Sequence, residues 1–513
     1  MTEKSPQENM PYSPDSFWIK SAELPTFPPL SIDTEVDAAI VGGGITGITT
    51  AYLLTKQGLK VAVIEADRVL NGTTGHTTAK ITAQHGLIYD ELIQHIGEEK
   101  AKQYYEANDD ALRFIRQTAK ELQIECDITE EDAYMYAVSD EYARKIMKEY
   151  EAYQKLGVHS EFSEGIPLPL DVKGAVIMKN QGQFHPVNYL KGLVNEITNS
   201  GGKIYEQTTA IDIDQTMPKP MIITREGRRV TCKYAIACSH FPFFDGKGFY
   251  FTRLHAERSY VLAVRTKRQF PGGMYYSADS PARSLRSTPH NEDKLVLIGG
   301  DGHKTGQGTS TSMHYKALEQ FGEDILGIEE INYRWSAQDL FTLDKIPYVG
   351  PITSNKPNIL VATGYRKWGM TNGIAAAKLL SDLVVEKENP YEDLYSPSRF
   401  YADPSIKKFL MQNLNVAGHL IEGKIDIADK RIADIGNDEG SVVVINGKRA
   451  GCYKDHEGNI NLVDTTCTHL GCEVEWNSGD RSWDCPCHGS RFSVQGDVIE
   501  GPAKKPLKRV DLN

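Results

Sequence analysis

Near its C-terminal end the chain reads TTCTHLGC and then DCPCHGS. Cys467, Cys472, Cys485 and Cys487 are four of only eight cysteines, and His469 and His488 stand beside them. Thiols and imidazoles gathered in this way can ligate a metal or carry redox chemistry. A second constellation lies near the other end, in VDAAIVGGGITGITTAYLLTKQGLKVAVIEA. Its pattern is strand, glycine turn, helix, strand, and Gly42, Gly44 and Gly47 supply G-x-G-x-x-G. Such a turn lets backbone amides and a helix N-terminus meet a pyrophosphate, and Glu65 ends the second strand where a carboxylate takes ribose hydroxyls. The expected chemistry is a bound dinucleotide at one end and a metal or redox centre at the other.

These residues need a sizeable scaffold. At 513 residues the chain predicts two or three domains. A formal charge of −12 argues against nucleic acid or an anionic membrane surface as the main partner. The first residues, MTEKSPQENMPYSPDSFWIK, carry no apolar leader segment, and AAIVGGGITGITTAYLL is too short and glycine-rich for a membrane span. No membrane anchor is expected, and the expected location is the cytoplasm, where clustered cysteines are ligands or redox groups more often than structural staples.

Residues 1–33 are polar and dotted with proline, which predicts an extended arm. Alternating strand and helix patterns fill 34–400. Within them YDELIQHIGEEKAKQYYEANDDALRFIRQTAKEL predicts a helical insertion, and the β-branched runs from Ser160 to Ile298 predict sheet. IGGDGHKTGQG lacks a following helix and an acid and reads as a loop. The turn-rich ENPYEDLYSPSRFYADPS marks a boundary near 400, residues 401–420 form a linker with a helical pattern, and 421–513 predict a small all-β unit. The predicted fold class is α/β, a Rossmann-like nucleotide domain interleaved with an antiparallel-sheet substrate domain, plus that all-β unit.

Asp344, Pro347 and Gly350 in D-x-x-P-x-x-G, followed by Gly364, Gly369 and Thr371, resemble the C-terminal flavin segment of the D-amino-acid oxidase (glycine oxidase) superfamily. The resemblance covers roughly 34–400 and implies FAD, with the helix N-terminus at Gly369, Met370 and Thr371 facing the flavin pyrimidine. NGTTGHTTAK falls where that family's flavin-contacting loop lies, which makes Thr73, Thr74 and His76 candidate FAD contacts. In related dehydrogenases a histidine in this context is joined covalently to the flavin. The plainer reading of His76, packing or hydrogen bonding near the isoalloxazine, is preferred.

The cysteine–histidine boxes resemble those of a Rieske [2Fe–2S] domain, with a glycine after each box. Carried over, the resemblance implies Cys467 and Cys485 on one iron and His469 and His488 on the other. It further implies a Cys472–Cys487 disulfide, as in the respiratory-complex type. A Cys/His zinc site is the competing reading, but zinc favours paired C-x2–4-C ligands. Gly501-Pro502-Ala503 resembles the proline loop over the cluster. Ser490 matches a serine that bonds a bridging sulfide, and Phe492 replaces a potential-raising tyrosine. The potential is therefore expected below the top of the roughly −150 to +300 mV Rieske range.

Taken whole, the chain is similar to bacterial FAD-dependent oxidoreductases with a C-terminal Rieske domain. The expected function is oxidation of an amine or amino-acid-like small molecule by hydride transfer to FAD. Electrons would then pass singly to the cluster and to an unidentified acceptor, although the reverse flow is also open. A non-catalytic electron-transfer or redox-sensing protein is the alternative. A Rieske oxygenase is not expected, since only about 25 residues follow the second box and a mononuclear iron domain needs more. Arg258, Tyr260, Arg283 and Arg286 are candidate substrate-facing residues, since an arginine fork suits a carboxylate. No catalytic base is assigned. Cys126, Cys232, Cys238 and Cys452 read as buried, inert thiols.

Overall fold

The computed structural model describes residues 10–511 apart from 247, 309, 426–429 and 446. Residues 1–9 of the expected arm and 426–429 of the small C-terminal unit lie outside the described residues.

The first sheet is built from short runs of valine, isoleucine and alanine. Its order is Tyr348–Pro351, Ile359–Thr363, Arg229–Ala237, Thr34–Val41, Val61–Ile64, Lys203–Tyr205. The central four strands and Lys203–Tyr205 run parallel. Val61–Ile64 and Ile359–Thr363 are buried along their whole length, as expected for a parallel sheet covered on both faces. The helices Ile45–Lys56, Pro186–Asn199 and Gly369–Val384 pack together on one face.

The second sheet has nine strands. Its path runs Ile328–Thr342, Leu254–Thr266, Asp293–Lys304, Arg283–His290, Met274–Ser277, Thr129–Ala137, Gly174–Gln183, Lys80–Ile81, with Ser160–Ser163 paired to Gly174–Gln183. All pairs are antiparallel except Met274–Ser277 with Thr129–Ala137. The expected helical insertion is two helices, Tyr89–Ile96 and Glu98–Glu121.

Three local expectations change. The sheet begins at Lys80 rather than at Ser160, because Lys80–Ile81 and Thr129–Ala137 flank the insertion and both pair with Gly174–Gln183. IGGDGHKTGQG is strand as far as Lys304, since its glycine pair lies opposite Tyr260 and Val261 and continues the ladder. The proline-dotted arm also contributes to the core. Ser16 caps a one-turn helix, Phe17–Lys20, and Trp18 is fully buried with its indole N–H donated to the Thr77 carbonyl.

The C-terminal unit has two small antiparallel sheets, Glu439–Ile445/Lys448–Lys454/Ile460–Asp464 and Glu475–Asn477/Ser482–Asp484/Arg491–Phe492/Val498–Glu500. It rests on the outer face of the Leu254–Thr266 and Ile328–Thr342 strands. Period-two alternation decides which side chains face it. Ala256 and Arg258 come from the first strand, and Arg334, Ser336 and Gln338 from the second. Trp335, Val261 and Ala263 belong instead to the large core of the first domain. These two strands are thus a single-layer wall between the units. Residues 11–12 strap the joint, with the Pro11 and Tyr12 carbonyls accepting from Arg334 and Tyr12 stacked on Arg481.

Candidate functional site

The glycine turn opens directly into the helix Ile45–Lys56. A Cβ on Gly47 would lie 1.9 Å from the Gly42 carbonyl oxygen, so only glycine lets helix and turn approach this closely. Glu65 accepts from the Gly43 and Asp67 amides at 2.7 and 2.9 Å, and burial pushes its carboxyl above the usual range. Thr74 Oγ1 accepts from the Ile45 amide at 3.0 Å, which ties the 71–80 loop to the helix N-terminus, beside Gly44. His76 turns its Nδ1 to the Gly72 carbonyl at 2.9 Å, and its own carbonyl accepts from Trp335 at 2.8 Å. Burial holds its imidazole below the usual range, hence neutral. Thr73 Oγ1 donates to the Gln338 carbonyl at 3.2 Å.

The return segment closes this side. Gly364 ends the strand Ile359–Thr363, and Gly369, Met370 and Thr371 begin the helix Gly369–Val384. Thr371 Oγ1 donates to the Thr82 carbonyl and meets His85 Nε2, each at 3.0 Å. A tight glycine turn, a helix N-terminus with no side-chain cap at Gly44 and a buried acid fit a dinucleotide such as FAD.

In the C-terminal unit Cys472 and Cys487 form a disulfide across a separation of 15 residues. Cys467 and Cys485 remain as thiols, both buried. The sulfurs of Cys472, Cys485 and Cys487 lie within 4.8 Å of one another, but two of them are consumed in the bridge. Cys467 and Cys485 instead share a hydrogen bond, which draws the Cys467 thiol down and pushes Cys485 up. Ser490 also hydrogen-bonds Cys467. The rings of His469 and His488 are 4.9 Å apart, and the Nδ1 atom of each is buried without a hydrogen-bond partner among the described residues. Burial brings both imidazoles down to about 4, so they are neutral. Two orphaned imidazole nitrogens beside two thiols match the donor set of a [2Fe–2S] cluster with mixed ligation. Phe251 lies edge-on to both imidazoles at 5.7 Å, so the histidine end of this unit faces the first domain.

Of the four candidate substrate residues, Arg258, Tyr260 and Arg283 lie in one network, linked through Asp480 and Tyr315 on one side and His314 and Asp301 on the other, while Arg286 lies apart. Arg258 is 1% exposed and pairs with Asp480 and Glu500, both at 3.1 Å. Arg286 is buried and donates to the Ala79, Thr78 and Phe184 carbonyls, holding the loop after His76. Tyr260 meets His303 Nε2 at 2.9 Å, and Arg283 pairs with Asp301 at 2.8 Å. Protein groups therefore occupy each of them.

Other residues gather beside the Gly369 turn. His85 stacks on Trp368 at 5.0 Å and Tyr276 meets Trp368 edge-on at 5.4 Å, which makes an aromatic wall. Burial and the nearby Arg366 guanidinium bring His85 down to about 3. A lone histidine in AQHG and a tryptophan before a glycine carry no motif, so only the fold assembles them. Gln338, Phe251 and Asp480, which act between the units, were equally silent in sequence.

Residues 37–383 match the FAD dependent oxidoreductase (DAO) family and 427–511 match the Rieske [2Fe-2S] domain. The chain is 53% identical over 501 residues, 98% of each chain, to the Rieske 2Fe-2S iron-sulfur protein YhfW of Bacillus subtilis. It is 25% identical over 400 residues to the gamma-glutamylputrescine oxidoreductase of Escherichia coli, covering 72% of this chain and 88% of that one. Among solved structures, glycine oxidase from Geobacillus kaustophilus superposes with a TM-score of 0.61 at 19% identity, over 72% of this chain and 100% of that one, a likeness of fold. Among the described residues no helix is long and apolar enough to cross a membrane. With the glycine cradle at one end and the orphaned histidines at the other, the chain belongs to the DAO family of FAD-dependent oxidoreductases and carries a C-terminal Rieske [2Fe–2S] domain.

Proposed function

We propose that this oxidoreductase dehydrogenates a small amine or amino-acid-like substrate and delivers the electrons one at a time through the Rieske cluster to a separate one-electron acceptor. When bound, FAD supplies a two-electron acceptor for a substrate C–H bond, and the cluster supplies a one-electron carrier. In this reading Gly42, Gly44, Gly47 and Glu65 hold the nucleotide, and Thr73, Thr74 and His76 border the flavin. Gly364, Gly369, Met370 and Thr371 close on it from the return segment. Cys467, Cys485, His469 and His488 hold the cluster, and the Cys472–Cys487 bridge ties their two loops together.

The substrate class rests on the names of the gamma-glutamylputrescine oxidoreductase and glycine oxidase relatives, which act on an amine and an amino acid. The substrate would lie against Trp368 and Tyr276, whose ring faces suit an ammonium group, with buried His85 behind Trp368. Neutral His85 adds no positive charge to repel it.

One observation carries the reading of internal transfer: both cluster histidines of the Rieske domain pack edge-on against Phe251 of the first domain. Anaerobic addition of amines and amino acids tests it. The expected result is bleaching of the flavin absorption followed by the EPR signal of a reduced Rieske cluster. Bleaching with a cluster that stays oxidised would defeat internal transfer, and no bleaching by any amine or amino acid would defeat the substrate class.

A further inference from the structure

Gln338 touches both cofactor loops. Its main-chain carbonyl accepts from Thr73 Oγ1 of the flavin loop at 3.2 Å. Its side-chain Nε2 donates to the carbonyl of Gly489 at 3.0 Å, and Gly489 follows the cluster histidine His488. The side chain is 1% exposed, and its Oε1 has no partner among the described residues, so the carboxamide is committed to the joint between domains. Gly489 has no alternative placement. Its φ is +78°, and a Cβ there would lie 2.4 Å from the Ala256 methyl and 3.1 Å from Gln338 Oε1. The wall at this point is one β-layer thick: Trp335, three residues before Gln338 on the same strand, donates to the His76 carbonyl on the inner side.

We propose that Gln338 is the positioning residue for electron transfer between flavin and cluster, setting the distance between the Thr73–His76 loop and the His488 loop. The inference rests on the internal transfer proposed above. With both cofactors bound, the step it governs would pass one electron from reduced flavin to the oxidised cluster, and a second would follow once a one-electron acceptor had reoxidised the cluster. Electron tunnelling falls exponentially with distance, so a short buried tether acts on the rate without entering the chemistry. Ser336 and Arg258 hold the same face of the cluster domain, but their partner is Asp480, away from the ligand boxes. Gln307 also reaches a ligand loop, donating to the Pro486 carbonyl at 3.0 Å, but among the described residues Gln338 bonds both that domain's ligand loop and the Thr73 loop.

The test is Gln338→Met, which keeps length and loses the donor, together with Gln338→Asn, which keeps the amide but falls short of Gly489. Full-length holoprotein is photoreduced anaerobically, and the lag between flavin bleaching and cluster reduction is followed optically and by freeze-quench EPR. In both variants cluster reduction is expected to slow about tenfold or more, in line with what small misplacements cost elsewhere. The midpoint potentials of both centres should stay at wild-type values. Hydrogen exchange of the peptide spanning Cys485–Ser490 is a second readout, expected to quicken in both variants even without cofactors. Wild-type lag and wild-type exchange in the two variants would overturn the assignment of Gln338. Failure of the wild-type cluster to be reduced at all would instead defeat internal transfer. If neither variant folds, Thr73→Val cuts the other end of the tether, and an unchanged lag there would overturn the proposal.

Discussion

Arg258 of the flavin-binding part and Asp480 of the Rieske domain meet at 3.1 Å with side chains only 1% and 5% exposed. Asp480 is held well below the usual carboxylate range by Arg258 and Arg491, against the opposing pull of burial. Glu500 completes the set, shared between Arg258 at 3.1 Å and Arg491 at 3.6 Å. A buried pair of this kind is weak evidence for net stability, but removing one partner leaves an uncompensated buried charge, at a cost of roughly 3–5 kcal/mol. Arg258→Leu is therefore expected to undock the Rieske domain, even though Arg491 still neutralises part of Asp480. Small-angle scattering should show a longer particle, and calorimetry should resolve a separate, earlier melt for the C-terminal unit. A single unshifted transition would show that the ion network does not hold the domains together.

Asp339 lies directly opposite Glu257 across the same two strands and makes no hydrogen bond or ion pair among the described residues. Burial, with Glu257 and Glu500 nearby, raises its carboxyl to about 7, while Lys367 and Arg258 oppose the shift. The folded state thus binds this proton more tightly than the unfolded chain does. The contribution to stability is fully present below about pH 4 and is lost as pH rises through about 7, at about 1.4 kcal/mol per pKa unit. Asp339→Asn should match wild type near pH 4 and exceed it by a few kcal/mol at pH 8. Denaturant titrations at the two pH values decide; a pH-independent difference would mean the carboxylate is ionised throughout.

Both cofactor classes were legible because each is written in a contiguous motif. The glycine turn needs Gly47 within a few residues of Gly42, and the two boxes put cysteine and histidine a residue or two apart. The parallel sheet was legible for a similar reason, since its strands are unbroken apolar runs. What joins the domains was not. Arg258 and Asp480 are 222 residues apart, and nothing local marks an arginine in a strand as facing another domain rather than a substrate carboxylate. Trp18 was hidden by its company, because proline and polar residues around it outweighed one aromatic pair that packs into the core. His85 and Trp368 meet only once the insertion folds back on the return segment.

The Cys472–Cys487 bridge closes a loop with a sequence separation of 15 and spans both ligand boxes. Chain-entropy arguments give about 3 kcal/mol for a loop of this size. The paired substitution Cys472→Ser with Cys487→Ser leaves Cys467, His469, Cys485 and His488 in place. The variant is expected to take up the cluster but to release it at lower temperature than wild type, with flavin content unchanged. Visible circular dichroism against temperature, with iron analysis after each step, measures this. Equal retention in both proteins would mean that packing alone holds the loops.

Ser490 hydrogen-bonds Cys467 and accepts from the Ala503 amide at 3.0 Å, which fixes the hydroxyl rotor toward the sulfur. A donor aimed at a ligand sulfur favours the more negative, reduced cluster. A hydrogen bond to a charged group contributes about 1.5–3 kcal/mol, and tenfold in a one-electron equilibrium is about 59 mV. Ser490→Ala should therefore lower the midpoint potential by about 65–130 mV, the ligand set being unaltered. Protein-film voltammetry of both proteins gives the answer, and a potential that rose or stayed fixed would place the hydroxyl outside the cluster's field.

Gly47 supplies the strictest steric constraint in the nucleotide cradle. An added methyl would sit 1.9 Å from the Gly42 carbonyl oxygen, which is backbone and cannot rotate away. The helix Ile45–Lys56 would have to move, and it is hemmed in by the strands below and by the helix Gly369–Val384 alongside. Moving it also displaces the Ile45 amide from Thr74 and with it the flavin loop. Gly47→Ala should therefore yield protein depleted of FAD. The Rieske cores are built from other residues and share no side chain with this helix, so the iron content and the EPR signal after chemical reduction should persist. Flavin-to-iron stoichiometry of the purified variant is the measurement. Full flavin occupancy would show that turn and helix can separate without cost to the cofactor, and loss of both centres together would show that the two halves do not fold independently.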